Sequence, residues 1–213
     1  MDCLGNQAAN LNRTEIIFRQ LSAIECRLKH TSGTSRIANG RRWLAWPFLC
    51  ATTCGNQGGL LAAILTANAQ VHGVLFDLPH VAAMARQNLE AVGLSARCRV
   101  EAGDFFREVP ALGDVYLLRT VIHDWDDERA LTILRTCRSA MSEGSRLLLL
   151  EMIVPAGNTA SYAKLIDLLM LVYAGGRERT EAEYRDLLMS AGLLVSCVVP
   201  TASAVSIIEA MPG

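Results

Sequence analysis

The sequence predicts an α/β protein in which a mainly parallel β-sheet carries helices on both faces. From Gln57 to the end of the chain, helical and strand patterns alternate, and repeated βα units of this kind form parallel sheets. Residues 116–127 join an apolar, β-branched run to a charged cluster, which is typical of a strand buried on both faces that ends in a polar loop. The 213 residues suffice for one such domain but not for a second large one.

Composition and charge narrow the class of protein further. Hydrophobic residues make up 51% of the chain, charged residues 19%, and the net charge is -1 at pH 7, so we expect a globular protein without a basic surface for nucleic acid. The seven cysteines are odd in number and lack a C-x-x-C pair, which predicts reduced thiols in a cytoplasmic protein rather than a disulfide framework or a zinc site. Asp167 and Glu151 interrupt the longest apolar stretches, so no membrane span is predicted.

Residues 1–50 form a poorly defined segment, and a regular alternation of helices and strands is predicted only from Gln57 onward. One weak helical pattern surrounds Ile16, and residues 31–40 have the composition of a loop. Residues 43–53 have a strand pattern, but Pro47 in its middle argues against a central place in a sheet. Periodicity then predicts helices over residues 58–68, 80–92, 127–141, 162–173 and 181–191, and strands over residues 71–77, 96–101, 146–154, 193–199 and 204–210, besides the strand that begins at Tyr116.

Three polar features follow successive strands and together describe a nucleoside site. The glycine-rich turn at residues 54–59 precedes a predicted helix, and glycines there let a ligand approach the helix amino terminus. Asp77 ends the next strand about 20 residues after Gly58, the spacing at which an acidic residue meets a ribose. The alternative is an aspartate that only begins an exposed turn. Asp104 and Phe105 follow the third strand. Taken alone, they indicate an aspartate in a turn and a phenylalanine in the core. Their combination with Asp77 and the glycine turn favours a nucleoside-binding role.

The candidate catalytic residues are His123, Glu151 and Glu178. His123 comes just after the strand that begins at Tyr116, at the sheet edge where ligands bind in open α/β folds. Glu151 interrupts an apolar strand, and Glu178 lies in a loop of glycines and arginines. A carboxylate at the end of a buried strand is costly unless it is paired or functional. A structural role stays open, with Glu151 as the partner of Arg179 or Arg146.

Five segments together resemble the class I S-adenosylmethionine-dependent O-methyltransferases of the caffeic-acid and hydroxyindole type, including bacterial polyketide-tailoring relatives. They are Gly58-Gly59-Leu60-Leu61, Phe76-Asp77-Leu78-Pro79-His80, Gly103-Asp104-Phe105-Phe106, His123-Asp124-Trp125-Asp126-Asp127 and Gly175-Gly176-Arg177-Glu178-Arg179-Thr180. A set in this order and spacing is highly specific. The resemblance implies a Rossmann-like methyltransferase domain over residues 51–213, with a seven-stranded sheet whose last strand is antiparallel.

The resemblance also implies a role for each site residue. His123 matches the general base, and Glu151 and Glu178 match the two carboxylates that flank and orient it. The cofactor would be S-adenosylmethionine, the product S-adenosylhomocysteine, and no metal would take part. The residues implied for the cofactor are Gly55, Gly58, Leu78 and Arg119, with Asp77 at the ribose and Asp104 and Phe105 at the adenine. The residues implied for the acceptor, a small aromatic molecule that bears a hydroxyl, are Asp124, Met170 and Tyr173.

The chain departs from the family pattern in two places. Cys54 and Asn56 replace glycines of the turn, and Thr52 stands where the family has an acid, which predicts weaker cofactor binding. Residues 1–50 are too short for the helical domain through which these enzymes dimerise, which predicts a truncated or frame-disrupted reading frame and a weakened homodimer. The alternative function is therefore an inactive remnant that serves at most as a binding or dimerising module. A nicotinamide-dependent dehydrogenase is disfavoured because G-x-G-x-x-G is missing.

Overall fold

The computed structural model describes residues 48–53, 57–111, 113–173, 175–201 and 203–213, with the backbone alone for residues 48–53 and 173. The predictions for residues 1–47, for Gly55 and for the substituted positions Cys54 and Asn56 lie outside the described residues.

Strands and helices alternate along the described chain, as the sequence predicts. The strands are β1 (Phe48–Thr53), β2 (His72–Asp77), β3 (Cys98–Ala102), β4 (Val115–Arg119), β5 (Arg146–Met152), β6 (Leu193–Pro200) and β7 (Val205–Pro212). The helices are α1 (Gly59–Ala67), α2 (Pro79–Ala91), α3 (Asp127–Ala140), α4 (Tyr162–Tyr173) and α5 (Glu181–Ser190), with a 3-10 turn at Ile122–Asp124.

The strands of the described residues pair into one sheet in the order β3-β2-β1-β4-β5-β7-β6. Neighbours from β3 to β5 run parallel, whereas β7 runs antiparallel to both β5 and β6. The predicted α/β class with a mainly parallel sheet is therefore confirmed. The strand order reverses between β1 and β4, and open α/β sheets bind ligands beside the carboxyl ends of the strands at such a point.

The central place of β1 shows that the expectation drawn from Pro47 is wrong. β1 pairs with β2 on one side and with β4 on the other, whereas a proline inside a strand confines it to a sheet edge. The strand begins at Phe48, one residue after the proline. The proline therefore lies outside the paired residues of β1.

Two of the strand boundaries that differ from the prediction have clear local reasons. β3 begins at Cys98 rather than two residues earlier, because Cys98 N and Arg97 N both donate to the carbonyl of Leu94 in a turn. β5 ends at Met152, and the chain beyond it pairs with Arg179 instead, through an isolated bridge from Ile153 and a 2.9 Å hydrogen bond from Val154 N.

Two apolar cores lie on opposite faces of the sheet, because side chains alternate between the faces along the central strands. In β4, Leu117 belongs to the core that contains α1 and α2, whereas Leu118 belongs to the core that contains α3 and α5. In β5, Leu148 and Leu149 divide in the same way. The apolar run of β4 thus faces helices on both sides, as the sequence predicts.

Helix α4 leaves a row of large apolar side chains exposed. Val172 is 87% exposed, and the other members of the row are Tyr162, Leu165, Leu168, Leu169 and Leu171. An exposed apolar surface of this kind marks contact with another molecule or chain segment. No helix in the described part of the chain is long and apolar enough to cross a membrane.

The hydroxyl of Tyr116 gives a test of how β4 is anchored. The side chain is 2% exposed, and its hydroxyl lies 2.8 Å from the carbonyl oxygen of Ala140 and 3.0 Å from that of Pro110. We expect Tyr116→Phe to lower the free energy of unfolding, measured in urea, by about 1–3 kcal/mol, because buried carbonyls lose a donor. Tyr162→Phe, at a side chain that is 62% exposed, is the control, with a change within about 0.5 kcal/mol. Equal losses in the two variants would contradict this anchoring role.

Candidate active site

The candidate active site begins with a strained residue at the carboxyl end of β4. Thr120 has a φ of 49°, a left-handed conformation that costs a non-glycine residue about 1–3 kcal/mol and persists only where its surroundings hold it. Its N–H donates to the carbonyl of Leu150 in β5 at 3.0 Å, which supplies that support. The chain then enters the 3-10 turn that carries His123. His123 thus lies in a tight turn just beyond the carboxyl end of β4.

Glu151 holds this turn through its backbone. The side chain is completely buried, and Oε1 accepts hydrogen bonds from Val121 N at 2.9 Å and from Ile122 N at 2.8 Å. Oε2 lies 3.9 Å from His123 Nδ1. Burial raises the pKa of Glu151 to about 7, against the lowering effect of the His123 charge and of the two N–H groups. Glu151 therefore orients the histidine chiefly by fixing the turn that carries it.

The alternative pairing of Glu151 with an arginine receives no support from the described contacts. Arg146 Nε lies 3.5 Å from Glu209 Oε1, and Arg179 Nη2 lies 2.7 Å from Asp127 Oδ1. Both arginines thus have other carboxylate partners.

Glu178 contacts the imidazole directly. Its Oε1 lies 2.8 Å from His123 Nδ1, and its side chain is completely buried. Its backbone N–H donates to Asp167 Oδ1 of α4 at 2.9 Å, which ties the loop to that helix. Glu178 and Glu151 therefore reach His123 in different ways, one through the ring and one through the backbone.

Gly176 allows this loop to approach the histidine turn closely. A Cβ at this position would lie 2.1 Å from the carbonyl oxygen of His123 and 2.5 Å from the carbonyl carbon of Asp124, distances that no side chain tolerates. Arg177 N donates to the His123 carbonyl at 2.9 Å. The second glycine of the Gly175-Gly176 pair thus permits backbone contact between the loop and the turn.

The charges around His123 favour its protonated form. Burial lowers its pKa, but the hydrogen bond to Glu178 and the charges of Glu151, Glu178 and Asp124 outweigh burial and raise the pKa to about 9. The ring is 12% exposed, and Asp124 Oδ1 lies 3.3 Å from Nε2. Because Nδ1 is directed at Glu178, Nε2 is the nitrogen that remains for proton exchange with a substrate.

A second group of residues predicted for the site lies at the carboxyl end of β2. Asp77 Oδ1 accepts a 2.8 Å hydrogen bond from Leu78 N, and burial raises the pKa of this carboxyl. The carbonyl of Asp77 accepts from Gly103 N at 3.0 Å, which joins the loops after β2 and β3. Leu78 is 46% exposed, and Gly58, at the amino terminus of α1, has a φ of 85°. Leu78 therefore exposes this edge to a ligand, whereas Gly58 is buried.

Aromatic rings link this edge to the histidine turn. Asp104 Oδ1 accepts from Phe106 N at 2.9 Å, which fixes the loop after β3. The ring centroid of Phe105 lies 6.4 Å from that of Trp125, and the Phe106 centroid lies 4.9 Å from it. Trp125 directly follows the histidine turn. Phe105 thus lies between the nucleoside edge predicted from the sequence and the histidine.

The remaining predicted residues occupy two elements. Arg119 is the last residue of β4 and is partly buried. Met170 is partly buried on α4, on the side of the helix that it shares with Asp167, since residues three apart face the same way. Tyr173 is the last residue of α4.

The sequence pattern does not predict the supporting roles of two residues, Asp167 and Arg179. In the sequence Asp167 only interrupts an apolar stretch, whereas in the structure its Oδ1 accepts a hydrogen bond from Glu178 N. The one signal in the sequence for such a role is that Asp167 is an acidic residue within the otherwise largely apolar α4. Arg179 is 1% exposed, which the loop sequence does not reveal. Among the described residues, no cluster of three or more His, Cys, Asp or Glu side chains is arranged to hold a metal ion.

Comparison with known proteins identifies the family. The O-methyltransferase domain family matches residues 48–194, so the chain belongs to this family, as the five segments indicated. A phenazine O-methyltransferase, PhzM of Lysobacter antibioticus, is 47% identical over 167 residues, which cover 78% of this chain and 49% of that protein. The O-demethylpuromycin-O-methyltransferase of Streptomyces alboniger is 45% identical over 163 residues, which cover 74% of this chain and 43% of that protein. The chain thus spans about half the length of the curated relatives it matches.

A solved structure with bound ligands is also similar. It is the O-methyltransferase NcsB1 from neocarzinostatin biosynthesis, in complex with S-adenosylmethionine and 2-hydroxy-5-methyl naphthoic acid. The TM-score is 0.72 at 35% identity, and the match covers 94% of this chain and 59% of that one. The sheet and its helices are therefore those of the methyltransferase fold.

The protonation of His123 can be measured directly. Following the Cε1–H resonance of His123 by NMR, we expect a pKa of about 9, so that the ratio of neutral to protonated imidazole falls tenfold with each pH unit below that value. In Glu178→Gln the pKa should fall toward the ordinary value of about 6.5, because the strongest favourable partner is neutralised. Glu181→Gln, at an exposed pair with Arg185, is the control and should leave the pKa of His123 unchanged. An equal pKa in Glu178→Gln and the control would contradict the geometry.

The close approach at Gly176 generates a separate prediction. Gly176→Ala must separate the loop from the histidine turn, since the new Cβ would meet backbone atoms. We expect the free energy of unfolding to fall by about 2 kcal/mol or more and the pKa of His123 to fall with it. Gly144→Ala, at a glycine with nothing within 4 Å of the added Cβ, is the matched control. A variant at Gly176 as stable as the control would show that the contact is not as close as described.

Proposed function

We propose that this chain is the catalytic domain of an S-adenosylmethionine-dependent O-methyltransferase that methylates a hydroxyl of a small aromatic molecule. The observation that carries the proposal is His123, held by Glu178 at 2.8 Å beside the carboxyl ends of β4 and β5. The chain belongs to the O-methyltransferase family, and relatives carry the names of O-methyltransferases. Within this proposal, residues 51–213 form the catalytic domain, and the seven strands form the Rossmann-like methyltransferase sheet.

The described residues fit S-adenosylmethionine. Asp77 offers a carboxylate at the end of β2 with one oxygen engaged by Leu78 N, which leaves the other for ribose hydroxyls. Gly58 is buried and has a left-handed backbone at the start of α1, and the N–H groups at a helix start favour anionic groups of a ligand. Phe105 and Asp104 provide an aromatic face and a carboxylate for the adenine, and Arg119 lies at the end of β4. When bound, the cofactor supplies an electrophilic methyl group on a positively charged sulfur.

His123 supports the role of general base once its pKa is considered. A phenol has a pKa near 10 and an ordinary histidine near 6.5, so proton transfer between them is uphill by about 5 kcal/mol. With the pKa of His123 raised to about 9, the gap narrows to about one unit, or about 1.4 kcal/mol. Nδ1 donates to Glu178, and Nε2 accepts the proton of the acceptor hydroxyl. The protein then contributes mainly alignment for the in-line displacement.

The acceptor is assigned to the region of Asp124, Met170 and Tyr173. Asp124 lies 3.3 Å from Nε2 of His123, so a hydroxyl that reaches the base also meets this carboxylate. The naphthoic acid bound to NcsB1 supports an aromatic acceptor. The exposed apolar row of α4 supports a homodimer or a further covering segment. A cytoplasmic location stays a prediction.

The second candidate function is an inactive remnant of the family that serves at most as a binding or dimerising module. The specific observation in its favour is the sequence of the glycine turn, where Cys54 and Asn56 replace glycines. The intact arrangement of His123, Glu151 and Glu178 opposes it.

Cofactor binding and methyl transfer separate the two candidates. We expect calorimetry to detect S-adenosylhomocysteine bound to the 213-residue protein, with Asp77→Ala weakening the affinity about 10- to 100-fold through loss of charged hydrogen bonds. His123→Ala should keep the affinity and lower methyl transfer to 2-hydroxy-5-methyl naphthoic acid by about 10²- to 10⁴-fold. Each variant is the control for the other. A folded wild type that binds no cofactor would favour the remnant.

A further inference from the structure

Arg179 is a buried cation that joins the parts of the candidate active site. Its side chain is 1% exposed. Nε and Nη2 donate to Asp127 Oδ1 at 3.0 and 2.7 Å. Nη1 donates to the carbonyl of Ile122 at 3.1 Å, and Nη2 donates to that of Trp125 at 2.9 Å. The two carbonyls come from residues on either side of His123 and Asp124, so the guanidinium spans the histidine turn.

The backbone of Arg179 is fixed as firmly as its side chain. Arg179 pairs with Ile153 in a parallel bridge, and its carbonyl accepts from Val154 N at 2.9 Å. This continues the line of β5, whose strand carries Glu151. Arg179 directly follows Glu178 in the sequence. One residue thus connects the strand of Glu151, the loop of Glu178 and the turn of His123.

A guanidinium suits this task better than any other cation. It is planar and presents five N–H donors in a fixed fork, whereas a lysine ammonium is a compact charge on a flexible stem. A buried charge of this kind is costly unless its donors are satisfied, and here they donate to Asp127 and to the carbonyls of Ile122 and Trp125. The arrangement therefore stabilises one conformation of the turn.

We propose that Arg179, held by Asp127, is a positioning residue that fixes His123 against its carboxylates for methyl transfer. This inference rests on the proposed function and deepens it, because the aligned base belongs to that reaction. Arg179 acts through the backbone of the turn and contacts no reacting atom. A misplacement of about 1 Å by such a residue costs about 10²-fold in rate.

The pKa of His123 reports how closely the imidazole is held against its carboxylates, and it can be measured without enzymatic turnover. The charged or titratable groups that act on its ring or neighbour its carboxylates are Asp124, Glu151, Glu178 and Tyr184. If Arg179 acted only by its positive charge, Arg179→Lys would leave the pKa of His123 unchanged. If it acts by position, the same substitution loosens the Glu178 contact and lowers that pKa.

Arg179→Lys is therefore the primary test. We expect the pKa of His123, followed by NMR, to fall by about one unit or more and kcat to fall about 10²-fold. KM for S-adenosylmethionine should stay within about threefold, since the nucleoside edge is untouched. Arg177→Lys is the matched control, because Arg177 Nη1 lies 3.3 Å from the other oxygen of Asp127 but its side chain is 42% exposed. A folded Arg179→Lys protein with the control's pKa for His123 would overturn the proposal.

Asp127→Asn provides the second test if Arg179→Lys does not fold. The side chain of Asp127 is 60% exposed, so the substitution removes the carboxylate that holds the Arg179 guanidinium without leaving a cavity in the core. It should lower the pKa of His123 in the same direction, and an unchanged pKa would overturn the proposal. A wild-type protein without methyl transfer would instead reject the proposed function, and the NMR comparison alone would then decide whether Arg179 positions His123.

Discussion

The hydrogen bond between Glu178 and His123 joins a completely buried carboxylate to a ring that is 12% exposed. Such a carboxylate requires a compensating donor or charge, and the imidazole provides both. Glu151 meets the same requirement with the N–H groups of Val121 and Ile122. Burial raises the pKa of Glu151. Burial lowers the pKa of His123, but the hydrogen bond to Glu178 and the charges of the surrounding carboxylates outweigh it and raise that pKa. These interactions require a firmly held turn.

The fold supplies that support through segments that are distant in sequence. The reversal of strand order between β1 and β4 opens the sheet edge to a ligand. The side chain of Asp126 caps α3 by accepting from Arg129 N at 2.9 Å, so the helix begins directly after the histidine turn. Thr180 and Glu183 form a capping box at the start of α5. Helix starts therefore fix the chain after both the turn and the glutamate loop.

Sequence reasoning identified the histidine and both glutamates because each stands out locally. Glu151 breaks an apolar strand, and Glu178 lies in a specific motif, so their place beside His123 could be predicted from the chain alone. It placed β1 wrongly because a proline one residue ahead of a strand cannot be distinguished by pattern from one within it. It also could not recover the contacts of Arg179, because these join residues more than 50 positions apart. Periodicity fixes which face a residue occupies, but not which distant carbonyl it meets.

The most direct test of the account compares the pKa of His123 in complexes with S-adenosylmethionine and with S-adenosylhomocysteine. The two ligands differ by one methyl group and its positive charge. If His123 is the base beside the transferred methyl, the sulfonium should lower the pKa by about one unit or more relative to the neutral sulfide, since a nearby positive charge disfavours imidazolium. The same pKa in both complexes, or no binding of either ligand by the folded protein, would contradict the account.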